Sequence, residues 1–166
     1  KELKKINFDG YALGGLAVGE TPEEMYRVLD YAAPELPQHK PRYLMGVGYP
    51  EQIVESVKRG IDMFDCVIPT REARHGRLYF FSPNLQFEIQ NFYHTINIRS
   101  EKFARDISPI NPASQLPELK EYSKAYLRHL FAVAEPLALR LATLNNLEFY
   151  LELMKRIRQG IKAGTL

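Results

Sequence analysis

The stretch that decides the fold runs from residue 42 to residue 68, RYLMGVGYPEQIVESVKRGIDMFDCVI. Residues 42–47 are apolar and glycine-punctuated, which predicts a buried strand. Pro50 suits the first turn of a helix, Ile53, Val54 and Val57 share one helical face, and Gly60 is placed to stop it. Residues 63–68 form a second apolar run, closed by Pro69. Strand, helix and strand joined by short turns predict two parallel strands linked by a right-handed crossover.

Working upstream, the same unit precedes it. Residues 10–18 read as another buried strand, followed by Thr21-Pro22-Glu23-Glu24. Thr21 can cap a helix, Pro22 fits its first turn, and Glu24 can return the bond as a capping box. Met25, Val28, Leu29 and Ala32 then share a face, and Pro34 and Pro37 end the helix. Downstream the pattern changes. Residues 78–98 alternate and are rich in aromatics (Tyr79, Phe80, Phe81, Phe87, Ile89, Phe92, Tyr93), which predicts a short antiparallel excursion turning at Ser82-Pro83-Asn84. Residues 108–117 are a proline-rich connector, and helices are expected over 118–133, 135–144 and 147–163, the last with Leu151, Met154, Ile157 and Ile161 on one face. The expected division is 1–77 for the βα units, 78–120 for an inserted β-rich and proline-rich subdomain, and 121–166 for the closing helices.

Bulk composition bounds the rest. A chain of 166 residues can bury one real core, and 45% hydrophobic with 25% charged residues is ordinary for a globular protein. A net charge of +2 neither demands nor excludes nucleic acid, so a partner must be argued from local clusters. The single cysteine, Cys66, excludes an internal disulfide framework and fits a reducing compartment. The sequence has neither an apolar run long enough for a membrane span nor a signal peptide, so a cytoplasmic location is expected. The opening Lys-Glu-Leu-Lys-Lys, without methionine, is the expected mark of a piece of a longer protein.

Chemistry in parallel α/β folds gathers at the carboxyl ends of the strands. Three segments meet that condition: residues 14–20, residues 45–48, and Asp65 with the residues after it. The glycines either admit a flat ligand close to the backbone or serve tight turns and packing. Their spacing is not that of a triphosphate-cradling loop. Asp65 lies within an apolar strand, where a carboxylate is costly unless paired or used. It is either a buried aspartate bonded to backbone amides or a nucleophile able to attack a sugar anomeric carbon. Asp62 reads as a capping or solvated residue and Cys66 as an inert buried thiol. Residues 70–77 bring Arg71, Arg74, His75 and Arg77 onto one loop, suited to phosphates and base edges or simply to solvent. The aromatics of 79–93 could stack bases or fill a core. The basic residues of the last helix, Lys155, Arg156, Arg158 and Lys162, fit a helix C-terminus complementing its dipole.

Residues 14–20, 42–48, 60–71 and Gly76 together closely resemble the strings of the tRNA-guanine transglycosylase family, also called queuine tRNA-ribosyltransferase; the run Ile61-Asp62-Met63-Phe64-Asp65-Cys66-Val67-Ile68-Pro69-Thr70-Arg71 is the most specific. The resemblance covers nearly the whole chain. It implies an α/β fold that is the C-terminal portion of a (β/α)8 barrel, with the last three parallel strands, a small antiparallel insertion and C-terminal helices. It implies exchange of guanine at the wobble position of tRNA with a GUN-type anticodon for a deazaguanine base, by double displacement. Asp65 matches the nucleophile. Gly14, Gly15, Leu16 and Ala17 match backbone facing the base, Glu20 lies behind them, and Met45 and Gly46 line the same pocket. Arg71 and Arg74 match residues that hold the anticodon loop. Val18 favours the small bacterial aminomethyl-deazaguanine over bulky queuine.

Two departures accompany the resemblance. The family binds zinc through Cys-x-Cys-x-x-Cys and a later histidine, and alignment puts Ser114, Leu116, Leu119 and Asn145 at those positions. None is a typical zinc ligand, so no cofactor is expected, with packing of Leu116 and Leu119 in the metal's place. The family's general acid/base and guanine-recognising side chains lie in an N-terminal half outside this sequence, so the chain by itself is expected to be inactive. A homodimer is implied as well. The competing reading is a non-catalytic tRNA-binding or scaffold subunit of the same family; a sugar-phosphate enzyme on the same barrel has fold analogy alone behind it.

Overall fold

The computed structural model describes residues 2–83 and 92–166. Their elements, in chain order, are α1 (Glu2–Ile6), β1 (Tyr11–Leu13), α2 (Pro22–Ala32), β2 (Arg42–Leu44), α3 (Pro50–Lys58), β3 (Met63–Phe64), α4 (Ile68–Arg74), β4 (Arg77–Phe81), β5 (Tyr93–Asn97), a 3-10 turn (Glu101–Phe103), α5 (Pro117–Glu121), α6 (Lys124–Ala132) and α7 (Pro136–Ala163). They divide into two compact units that part between Val67 and Ile68.

The first unit is the parallel layer that the βα alternation predicts. β1, β2 and β3 pair in that order, with Tyr11 opposite Arg42 and Tyr43 opposite Met63. α2 starts as its sequence dictates. Thr21 Oγ1 accepts the Glu24 N–H at 3.2 Å, and Glu24 Oε2 accepts the Thr21 N–H at 2.8 Å, so both halves of the capping box form. Its apolar face buries Met25 and Leu29 against Leu44, Val47 and Ile61. α3 begins at Pro50 and turns out at Gly60, whose N–H bonds to the Val57 carbonyl at 2.8 Å.

The strands are shorter than their apolar runs suggested. Residues 10–18, 42–47 and 63–68 contribute three, three and two residues to the sheet. Gly15 and Gly46 take positive φ (76° and 78°), which turns the backbone out of the ladder. Ile68, expected in the strand, opens α4. Cys66 is half-buried, not the buried thiol that an unbroken strand would have made it.

The second unit pairs β4 with β5 antiparallel, Arg77 opposite Asn97 and Phe81 opposite Tyr93. The expected turn at Ser82-Pro83-Asn84 runs past the described residues, as do Phe87 and Ile89. Of the aromatics that are described, Tyr79 and Phe92 are buried and Phe80 and Phe81 half-buried, so they serve packing. Leu78, Ile98, Ile110, Leu119, Leu127, Leu130 and Leu141 form the core beneath them.

Three helical expectations change. Residues 70–77 are not a loop: α4 runs through Arg74. Residues 118–133 split, because Tyr122 is extended (φ −81°, ψ 139°), its carbonyl accepts the Ile110 N–H at 2.9 Å, and Ser123 Oγ caps α6 by accepting the Tyr126 N–H at 3.1 Å. Residues 135–163 do not split. Asn145 and Asn146 look like a break, but α7 runs through them over 28 residues with both side chains buried. Asn146 is filled on every side: Oδ1 accepts the Tyr79 N–H at 3.1 Å, and Nδ2 donates to the Pro69 and Arg77 carbonyls at 3.0 and 2.9 Å. Tertiary partners outweigh the turn propensity of asparagine there. No helix among the described residues is long and apolar enough to cross a membrane.

Candidate active site

Parallel register and side-chain alternation build this site. With Tyr43 opposite Met63, the next residue on the same face of β3's line is Asp65. The Tyr43 hydroxyl donates to Asp65 Oδ1 at 2.6 Å, and the Gly46 N–H donates to the same oxygen at 2.9 Å. Neither bond engages Oδ2. The sequence led us to expect Asp65 inside the strand; it stands one residue beyond β3 with its side chain exposed, because β3 stops at Phe64. In this chain the carboxylate is exposed and accepts one backbone amide, that of Gly46. The Tyr43 hydroxyl first, then the Gly46 N–H, hold the carboxyl below the usual aspartate range, so it is ionised at neutral pH. The bond to Asp65 raises the Tyr43 phenol in turn, which keeps it a donor.

Gly46 is needed where it stands. Its φ of 78° aims the N–H at Asp65, a conformation that a residue with a Cβ adopts only under strain. Gly14 faces the neighbouring turn: a Cβ there would lie 3.3 Å from Met45 Sδ. The ends of β1, β2 and β3 therefore converge on one rim.

Behind the first turn, the Glu20 carboxylate accepts the N–H groups of Ala17 and Val18, the latter at 3.1 Å, and the Ala17 bond is the main reason its carboxyl is held low. Ala17 itself sits at φ 59°, which is costly for a residue with a side chain. The carboxylate offsets that strain and fixes the turn of residues 14–18. Leu16 packs on the core of the unit, while Val18 and Met45 are exposed. Asp62 is neither a helix cap nor merely solvated. Its Oδ2 accepts the Arg42 N–H at 2.9 Å, and its own N–H donates to the Arg42 carbonyl at 2.9 Å, locking β3 to β2 just before Asp65.

Arg71 and Arg74 belong to the second unit, both exposed on α4. Glu72 pairs with Arg77 at 3.1 Å and more distantly with Arg71 at 3.8 Å. On α7, Arg156 lies 4.0 Å over the Phe81 ring and bonds Glu152, so that basic helix is partly engaged in packing.

Sequence reasoning missed Tyr43 and Asp62 as supports of the nucleophile candidate. Only the register joins residues 22 apart in sequence, although both lie in the strings that carried the resemblance.

A model of the queuine tRNA-ribosyltransferase family matches residues 1–166. The chain belongs to that family. Among its curated relatives, the queuine tRNA-ribosyltransferase of Clostridium acetobutylicum is 52% identical over 163 residues, 98% of this chain and 40% of the relative. That of Pasteurella multocida is 51% identical over 96% of this chain and 39% of its own length. The protein of the same name from Buchnera aphidicola is 49% identical over 99% and 42%. The chain thus spans about 40% of the length of these relatives.

The zinc that family resemblance implies does not suit the residues present. Ser114 offers a neutral hydroxyl, Leu116 and Leu119 offer no donor, and the Asn145 amide is bonded at both ends, to Asn111 Nδ2 and to the Tyr79 carbonyl. Among the described residues, no group of three or more His, Cys, Asp or Glu is placed to hold a metal ion.

Proposed function

We propose that this queuine tRNA-ribosyltransferase family member is the C-terminal half of a tRNA-guanine transglycosylase, with Asp65 as its nucleophile. The observation that carries the reading is an exposed, ionised carboxylate held through Oδ1 by Tyr43 and Gly46 at the glycine-lined end of a parallel sheet. Oδ2 attacks C1′ of the target ribose through an oxocarbenium-like transition state. The bond from C1′ to guanine breaks, and guanine leaves with the electron pair and takes up a proton. The incoming deazaguanine nitrogen then attacks C1′. The C1′–Oδ2 ester bond breaks, the carboxylate is restored and the new base loses its proton.

Holding Oδ1 fixes the direction from which Oδ2 approaches, which is how a positioned nucleophile lowers the entropic barrier. The backbone of Gly14, Gly15, Leu16 and Ala17 faces the base, Glu20 keeps that backbone in shape, and Met45 and Gly46 complete the pocket wall. Val18 narrows that pocket, as the family resemblance implies, and favours a small aminomethyl-deazaguanine. Arg71 and Arg74 hold the anticodon loop of a GUN-type tRNA through its phosphates.

In this reading β1, β2 and β3 are the last three strands of a (β/α)8 barrel. The part of the relatives' length that this chain does not span supplies the other strands, the general acid/base and the groups that recognise guanine. The enzyme works in the cytoplasm as a homodimer, and residues 1–166 alone are inactive. Asp65→Asn in the full-length enzyme tests the proposal. It abolishes both exchange of labelled guanine into tRNA and the covalent protein–tRNA band on a denaturing gel. Exchange at the parent rate would assign the chain to a scaffold role instead.

A further inference from the structure

The four positions where family resemblance implies zinc lie on two segments: Ser114 and Leu116 on the stretch entering α5 with Leu119 inside that helix, and Asn145 on α7. A structural zinc works by tying such segments together. Here they are tied by other means. Glu148, one turn beyond Asn145, accepts the Ser114 hydroxyl proton through Oε2 at 2.5 Å and the Gln115 N–H through Oε1 at 2.6 Å. Ser114 Oγ in turn accepts the Leu116 N–H at 2.9 Å. Asn145 Oδ1 accepts from Asn111 Nδ2 at 3.0 Å, and its Nδ2 donates to the Tyr79 carbonyl at 3.1 Å. Ser114, Leu119 and Asn145 are buried, and Leu116 packs on the core that Leu119 enters.

Every polar atom at the locus is therefore committed. The Ser114 hydrogen goes to Glu148 and its oxygen serves Leu116. The Asn145 amide bridges the 111–114 turn and β4. A carboxylate taking two donors from one loop makes short, charge-assisted bonds, roughly twice as strong as neutral ones, and so can do the cross-linking otherwise asked of a metal.

We infer that the zinc locus of this family member is held by a metal-free clamp: Glu148 fastens residues 114 and 115 to α7, Asn145 ties residue 111 and β4 to the same helix, and Leu119 is buried in the core beside them. The inference is independent of what Asp65 does, because its readouts are metal content and melting rather than exchange.

The full chain is incubated with zinc chloride, desalted, analysed for bound metal, and melted with and without EDTA. The expected result is far less than one zinc per chain and one Tm in both conditions. Glu148→Ala lowers that Tm by several degrees. Glu148→Gln lowers it less, since the amide oxygen still accepts one of the two donors, and this variant stands in should Glu148→Ala fail to fold. One zinc per chain, a fall in Tm on adding EDTA, or an unchanged Tm in both Glu148 variants overturns the inference.

Discussion

Asn146→Leu is the sharpest test of how the second unit is held together. The substitution keeps the branched outline and puts two methyl groups where the polar atoms were, so it deletes the hydrogen bonds without opening a cavity, at the cost of some added bulk in a buried site. Three bonds to main chain are lost: the acceptor for the Tyr79 N–H and the donors to the Pro69 and Arg77 carbonyls. At about 1 kcal/mol each these three account for about 3 kcal/mol, a minimum, because Asn145 Nδ2 also loses an acceptor and the abandoned partners stay buried. That is a large share of the roughly 5–15 kcal/mol that holds an ordinary domain folded. For a chain of this size it corresponds to a fall in Tm of about 6–12 °C. The protein has no tryptophan, so far-UV circular dichroism, to which the 28-residue α7 contributes strongly, is the suitable probe in urea and in heat. Leu151→Ala, at a site on the same helix that is 71% exposed, is the control and stays within about 0.5 kcal/mol of the parent. An Asn146→Leu protein less than about 1 kcal/mol below the parent would refute the claim that these bonds carry α7 through its asparagine pair.

Other outcomes follow from the rim and the caps. The Asp65 carboxyl is depressed, so its ionised form persists to lower pH than that of an ordinary aspartate and is lost only as pH falls through the depressed value. Tyr43→Phe removes the largest cause, so the acid limb of a kcat/KM profile for base exchange by the full-length enzyme moves to higher pH; an unmoved limb would show that Tyr43 does not act through Asp65. Gly46→Ala forces a Cβ into φ 78°, costs about 1–2 kcal/mol in urea melts, and lowers exchange activity by misaiming the N–H that holds Oδ1. Thr21→Ala removes one side of the capping box and costs about 1 kcal/mol of stability without touching exchange.

The difference between what was readable and what was not is one of range. The capping box of Thr21 and Glu24, the prolines that open α2 and α3, and the turn-out at Gly60 all act within a few residues, so sequence alone specified them. Apolar periodicity did the same for the parallel layer, and the run 61–71 brought Asp65 forward with the glycine rim. What depended on distant partners stayed hidden. Asp65 needed the register of β2 and β3 to meet Tyr43, 22 residues away. Glu148 reaches Ser114 across 34 residues, and Asn146 reaches Tyr79 across 67. Local propensity made Asn145-Asn146 a break and residues 118–133 one helix. Buried bonds reversed the first, and the bond from Ile110 to Tyr122 reversed the second, because an unpaired buried polar group costs more than an unfavourable propensity. Sequence by itself determined where α2 and α3 begin and which carboxylate to suspect, because those signals are local; the tertiary structure decided where α4 and α6 begin, which donors orient that carboxylate and what closes the locus around Ser114.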